Sequence, residues 1–203
     1  MSYLAGVIGN DKVHIVGDRR AYRGEDTVQK ANSTQIGGKS IAFAAGGDTA
    51  LLNRVQAETE ILEREDGRED ISPSHEPKGF AQRLAETLVE SPLREYSGVC
   101  LVGGYDSDGP PKLVCATISG DKYNIECHTE KHVPIHLPPP SISSDDEEKE
   151  RFREMQCEIW KEEKGDIESF LSRIGKWVAE NDSDDACSKE LDIVDIEGGN
   201  RSR

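Results

Sequence analysis

Residues 2–20 run Ser2-Tyr3-Leu4-Ala5-Gly6-Val7-Ile8-Gly9-Asn10-Asp11-Lys12-Val13-His14-Ile15-Val16-Gly17-Asp18-Arg19-Arg20. Two apolar runs, Leu4 to Ile8 and Val13 to Gly17, flank the turn residues Gly9-Asn10-Asp11. Apolar runs on either side of such a turn read as a β-hairpin. The polar cluster Asp18-Arg19-Arg20 then stops the second strand. Thr34 to Ile36 and Ile41 to Ala45, around Gly37-Gly38-Lys39-Ser40, read as a second hairpin by the same logic.

Beyond residue 47 the period changes. Leu52, Val55, Thr59 and Leu62 recur at helical spacing after Gly47-Asp48-Thr49, and that helix is expected to end near Asp66-Gly67. Phe80, Ala81, Leu84, Ala85 and Leu88 predict a second amphipathic helix, stopped by Ser91-Pro92. Strands are expected at Val99 to Val102, Leu113 to Ile118 and Lys122 to Cys127, and 128–144 reads as irregular, with Pro134 and Pro138-Pro139-Pro140. Ser144-Asp145-Asp146-Glu147 starts a third helix, with acids at its positive end and Phe152, Met155, Ile159 and Trp160 on its apolar face. Ile167, Phe170, Leu171, Ile174, Trp177 and Val178 mark a fourth. Leu191 to Ile196 is a last strand, closing one domain over 1–196, with a polar tail at 197–203. Two antiparallel sheets with helix pairs outside, a four-layer α+β sandwich, would bury all these faces, as one arrangement among several.

Composition limits the functions. The 203 residues carry 25 basic and 40 acidic side chains, a net −15, which disfavours phosphate backbones, so no nucleic-acid partner is expected. Asp145 to Arg203 holds 19 acids and 10 bases, the denser share of that charge. With 34% hydrophobic residues, no run approaches a membrane span, and the N-terminus lacks a basic leader, so neither a membrane partner nor secretion is expected. Cys100, Cys115, Cys127, Cys157 and Cys187 are odd in number and contain no Cys-x-x-Cys pair, which fits reduced thiols in the cytoplasm. Cys127, His128, His132 and His136 have zinc-compatible residue types, but Pro134 breaks a continuous helix through them. They are read as exposed loop residues, and neither a metal nor a cofactor is expected.

Ser2 to Val7, Val16-Gly17-Asp18-Arg19-Arg20-Ala21 and Ile41 to Asp48 together resemble the start of proteasome β-type subunits, a family of N-terminal-nucleophile (Ntn) hydrolases. Val102-Gly103-Gly104-Tyr105-Asp106, Ile118-Ser119-Gly120 and Asp185-Ala186-Cys187-Ser188 extend the resemblance over most of 1–127 and 165–196. It implies the αββα sandwich, a homo-oligomer in a ring or stacked-helix assembly, and hydrolysis or transpeptidation of a peptide or amide bond in a peptide or protein substrate. The nucleophile would be Ser2, freed by removal of Met1, where the family has Thr. Its α-amine, with an ordinary pKa of about 7.7–8.0, suits a base near neutral pH.

By the same resemblance Asp18, 16 residues after Ser2, orients the catalytic group, and Asp185 and Ser188 support the amine. The family's catalytic Lys falls near Asn32 to Thr34, where none stands; Lys30 reaches the site if the strand shifts by two residues, because period two keeps it on one face. The family's oxyanion glycine falls near Phe43 to Ala45, and the backbone of Gly46-Gly47 is the substitute. The family's Gly-Ser-Gly before the third helix is absent; Leu137 to Ser144 stands there, with Ser141 as candidate. A non-catalytic Ntn-fold subunit, favoured by the displaced Lys and glycine, and an unrelated small α+β binding domain are the alternatives.

Overall fold

The first hairpin forms as its sequence predicts: β1 (Leu4–Ile8) pairs antiparallel with β2 (Lys12–Asp18), with Leu4 opposite Gly17 and Ile8 opposite Val13. In the computed structural model, residues 2–20, 29–36, 38–47, 49–65, 76–91, 96–106, 109–184 and 187–198 are described. The expected helix stops at Asp66-Gly67 and Pro92 lie outside them, as does the Gly37 turn residue.

The other elements are β3 (Ala31–Ile36), β4 (Lys39–Gly47), α1 (Thr49–Glu65), α2 (Pro77–Val89), β5 (Tyr96–Tyr105), β6 (Pro111–Gly120), β7 (Lys122–His128), β8 (Ile135–Leu137), α3 (Pro140–Ser143), α4 (Asp146–Glu163), α5 (Ile167–Asn181) and β9 (Leu191–Glu197). Among the described residues they form two antiparallel sheets, ordered β8-β1-β2-β9 and β3-β4-β5-β6-β7.

Strand alternation assigns the layers. Leu4, Ile8, Val13 and Ile15 point inward and meet Ala42, Ala44, Leu101 and Leu113 of the second sheet. Tyr3, Ala5, Val7 and Val16 point outward and pack under α4 and α5 with Phe152, Phe170, Leu171 and Ile174. Phe43, Ala45, Cys100 and Val102 do the same for α1 and α2, against Leu51, Phe80 and Leu84. The result is the four-layer αββα sandwich.

Some boundaries move. β3 begins at Ala31, three residues before the expected Thr34, because polar Asn32 and Ser33 sit on an edge strand that pairs only with β4. Segment 128–144 is not wholly irregular: Ile135 to Leu137 form β8 against β1, and Pro140 to Ser143 make one helical turn. α4 is capped by Asp145, whose side chain accepts from Glu147 N and Glu148 N, one residue later than the expected start. β9 runs through Glu197, which pairs with Lys12, one residue into the expected tail; residues 199–203 lie outside the described ones. No described helix is long and apolar enough to cross a membrane, and all five cysteines are free thiols.

Candidate active site

The hairpin brings its two ends together. Ser2 precedes β1 and Asp18 closes β2, so antiparallel pairing sets them side by side, with Asp18 N donating to Tyr3 O at 3.1 Å. Asp18 is fully buried, Lys30 is 2% exposed and Ser2 8%. Lys30 Nζ donates to Ser2 Oγ at 2.6 Å and to Asp18 Oδ1 at 2.9 Å. Asp18 Oδ2 accepts from Tyr3 N at 2.8 Å, and Oδ1 also accepts from Arg20 N at 2.9 Å and Ser188 N at 3.3 Å. A buried charge needs such pairing, and here an ammonium and three backbone N–H groups supply it.

Lys30 enters this site from the residue just before β3. Its carbonyl accepts from Ala45 N at 3.2 Å, and its own N–H donates to Asp192 Oδ2 at 3.2 Å. Gly17 makes room for it: a Cβ there would lie 3.0 Å from Lys30 Cβ. Lys30, the lysine nearest the strand where the family's catalytic one is expected, is thereby placed beside Ser2.

The two glycines lie at the end of β4, near Ser2. A Cβ at Gly46 would press on the Leu4 side chain at 3.2 Å and lie 3.5 Å from Ser2 Cβ, so the glycine lets Leu4 and Ser2 pack closely against β4. Phe43 faces the opposite layer, 6.0 Å from the Phe80 ring, and does not crowd Ser2. Within β4, Ala45 N–H points to the β3 edge; two residues on, Gly47 N–H points the same way, while Gly46 N–H faces β5 opposite Val99. Gly47 has φ 150°, and a Cβ there would lie 2.5 Å from Ser97 O. Of the two glycines expected to serve through their backbone, Gly47 thus has its N–H on the Lys30 side, while Gly46 packs against Leu4 and Ser2.

Met1 and Asp185 lie outside the described residues. Ser188 touches Asp18 through its backbone N–H, while its hydroxyl accepts from Glu190 N at 3.0 Å.

Two acids escaped the sequence reading. Asp182, just past α5, accepts from Ser141 Oγ at 2.5 Å and from Cys187 N at 2.9 Å, tying α3 to the loop that carries Ser188. Asp192 joins Lys30 N to Arg19 Nε, the latter at 3.0 Å. Only an acid on the apolar strand Leu191 to Ile196 could have hinted at Asp192. For Asp182, an acid among acids, no signal exists. Cys187 lies in the same region, where burial first, then the Asp18 and Asp182 carboxylates, push its thiol well up. It is an inert thiol rather than a second nucleophile.

The Cys127–His136 group is not gathered into a metal site. Cys127 and His132 are exposed, and His136 departs from the exposed-loop reading. His136 Nδ1 is 2.9 Å from Tyr3 Oη, and its ring meets Phe152 and Phe170 edge to face. Its Nε2 is buried without a hydrogen-bond partner, and burial lowers its pKa to about 3. Tyr3, whose own pKa burial raises, stays protonated and donates to Nδ1.

Because the folded His136 resists protonation, its contribution is complete above the unfolded pKa of about 6.5 and is lost as pH falls from there towards 3. Between pH 7.5 and 5 this group is expected to cost about 1–2 kcal/mol of stability. His136→Asn, which keeps an acceptor for Tyr3, should flatten that part of the curve in urea titrations at each pH. An unchanged slope would contradict the assignment.

Comparison with known proteins agrees with this fold. Residues 3–129 match the family model described as Proteasome subunit. No curated protein sequence matches. Among solved structures, Anbu (ancestral beta-subunit) from Yersinia bercovieri aligns with TM-score 0.65 at 14% identity, over 96% of this chain and 81% of that one. An Anbu (Gly-1) mutant from Hyphomicrobium sp. strain MC1 gives 0.69 at 13%, over 97% and 83%. The structure described as the helical assembly of the Anbu complex from Pseudomonas aeruginosa gives 0.64 at 16%, over 96% and 81%. At these identities the structures establish the fold. The family match covers more than half the sequence, including Asp18, Lys30 and both glycines, and the chain belongs to the proteasome subunit family.

Proposed function

We propose that this chain is an Ntn-type peptidase or amidase with Ser2 as nucleophile. The observation that carries the reading is the buried contact of Lys30 Nζ with both Ser2 Oγ, at 2.6 Å, and Asp18 Oδ1, at 2.9 Å. A hydroxyl that receives a hydrogen bond from an ammonium gives up its proton more easily. The base is the Ser2 α-amine, released when the Met1–Ser2 bond is cut. Ser2 Oγ attacks the scissile carbonyl while its proton passes to that amine. Gly47 N–H donates to the developing oxyanion, and Lys30 stabilises the charge beside it. The protonated amine then gives its proton to the leaving nitrogen, leaving an ester on Ser2. Water attacks the ester, the amine again taking a proton, and the carboxylic acid departs.

The substrate class is a peptide or protein. Supporting this, residues 3–129 match the family model described as Proteasome subunit. A homo-oligomer is part of the same proposal, supported by the helical assembly described for the Pseudomonas relative. The non-catalytic alternative rests on the Lys and glycine positions, and the contact of Lys30 with Ser2 Oγ weighs against it. The test compares protein with Met1 removed and protein retaining Met1 on a panel of fluorogenic peptides. Turnover is expected only with the free Ser2 amine. Equal turnover by both forms would overturn the role of the amine.

A further inference from the structure

Away from Ser2, at the far end of β2, three ligand-type side chains from three elements converge. His14 on β2 stands opposite Asp195 on β9, and both face the helix layer, where the first turn of α5 carries Glu168. His14 Nδ1 lies 2.8 Å from Asp195 Oδ1, and one ligand atom from each of His14, Asp195 and Glu168 falls within 4.8 Å of the others. His14 is buried, Asp195 half-buried and Glu168 exposed. His14 and Glu168 line a cleft of about 290 Å³ together with Lys12, Asp166 and Ile167, and Asp195 meets it through its contact with His14. We infer that His14, Asp195 and Glu168 form a binding site for a divalent transition-metal ion of the zinc type.

The donor set argues for that class. One imidazole nitrogen and two carboxylate oxygens suit zinc, whereas calcium and magnesium take oxygen alone. Tetrahedral zinc–ligand bonds of about 2.0–2.2 Å place adjacent ligand atoms about 3.3–3.6 Å apart, so the hydrogen-bonded His14–Asp195 pair opens by roughly half an ångström to admit the ion. The ion replaces the proton shared in that contact, and the imidazole binds through Nδ1 with its hydrogen on Nε2. Glu168, exposed on a helix turn, closes the remaining distance by a rotamer change, and water fills the open positions. Lys12 Nζ sits 3.6 Å from the other oxygen, Asp195 Oδ2, and 3.3 Å from Glu197 Oε1. It therefore holds the carboxylate with Oδ1 towards the site. A bound ion would clamp α5 to β2 and β9, the strands whose opposite ends present Asp18 and Asp192.

This site is independent of the chemistry at Ser2 and is tested without any activity assay. The full chain, stripped with a chelator, is titrated with Co2+ and then with Zn2+. The expected result is one equivalent of Co2+ with visible d–d bands, displaced by Zn2+, and a melting temperature raised by Zn2+. Glu168→Gln, an exposed change that leaves folding intact, should weaken Zn2+ at least tenfold, while His14→Ala should remove the bands. Glu154→Gln, on the exposed face of α4, should bind like the parent. Saturable binding absent up to on the order of 1 mM, or equal uptake by Glu168→Gln and the parent, would overturn the inference.

Discussion

Ser2→Ala is expected to reduce peptide turnover by about 10^4-fold or more while the protein folds as before. The size follows from the role: without Oγ no ester forms, and removing a nucleophile from a concerted set costs nearly the whole of its covalent catalysis. The structural cost is small. Lys30 Nζ loses one partner, Ser2 Oγ, but keeps Asp18 Oδ1 at 2.9 Å, so about 1 kcal/mol of stability is at stake. The variant is measured with Met1 removed, by turnover and by thermal unfolding side by side. Turnover within tenfold of the parent would exclude Ser2 as nucleophile.

Lys30→Met is expected to damage both activity and stability, a different signature from Ser2→Ala. Loss of the ammonium removes the donor to Ser2 Oγ and the charge beside the oxyanion, which should lower turnover by about 10^3-fold. It also leaves Asp18 fully buried with only its three backbone N–H donors. Breaking a buried pair from one side costs about 3 kcal/mol at the lower end of the usual range, a fall in Tm of about 10 °C for a chain of this size. Adding Asp18→Asn to Lys30→Met should restore part of the stability, because the uncompensated charge is gone, and none of the activity. Full stability in the single variant would mean that the ion pair contributes nothing to the fold.

The local parts of the site were legible and the long-range parts were not. The β1–β2 hairpin fixes the approach of Ser2 and Asp18 through one turn and two alternating strands, so 16 residues of spacing carried both. Lys30 was legible only to within a register, because a two-residue slip preserves the face and nothing in the sequence near Ala31 marks where pairing with Ala44 begins. Gly46 and Gly47 were visible as glycines, but their division of labour depends on which N–H faces β3, again a matter of register. Asp182 and Asp192 reach the site from after α5 and from β9, more than 150 positions from Ser2. Their partners, Cys187 N, Ser141 and Lys30 N, are set by how layers stack, which no local pattern encodes. β8 escaped for a similar reason. Three residues after Pro134 become a strand because the open edge of β1 and the Tyr3–His136 contact hold them there.

The account rests on Ser2 offering a hydroxyl and a free amine together, beside Lys30. A peptide epoxyketone tests both groups at once: the hydroxyl adds to the ketone, the amine opens the epoxide, and nothing leaves. Intact mass of protein lacking Met1, followed by peptide mapping, should show one whole probe added per chain, located on Ser2. An unmodified chain, or an adduct on any other residue, would contradict the central claim.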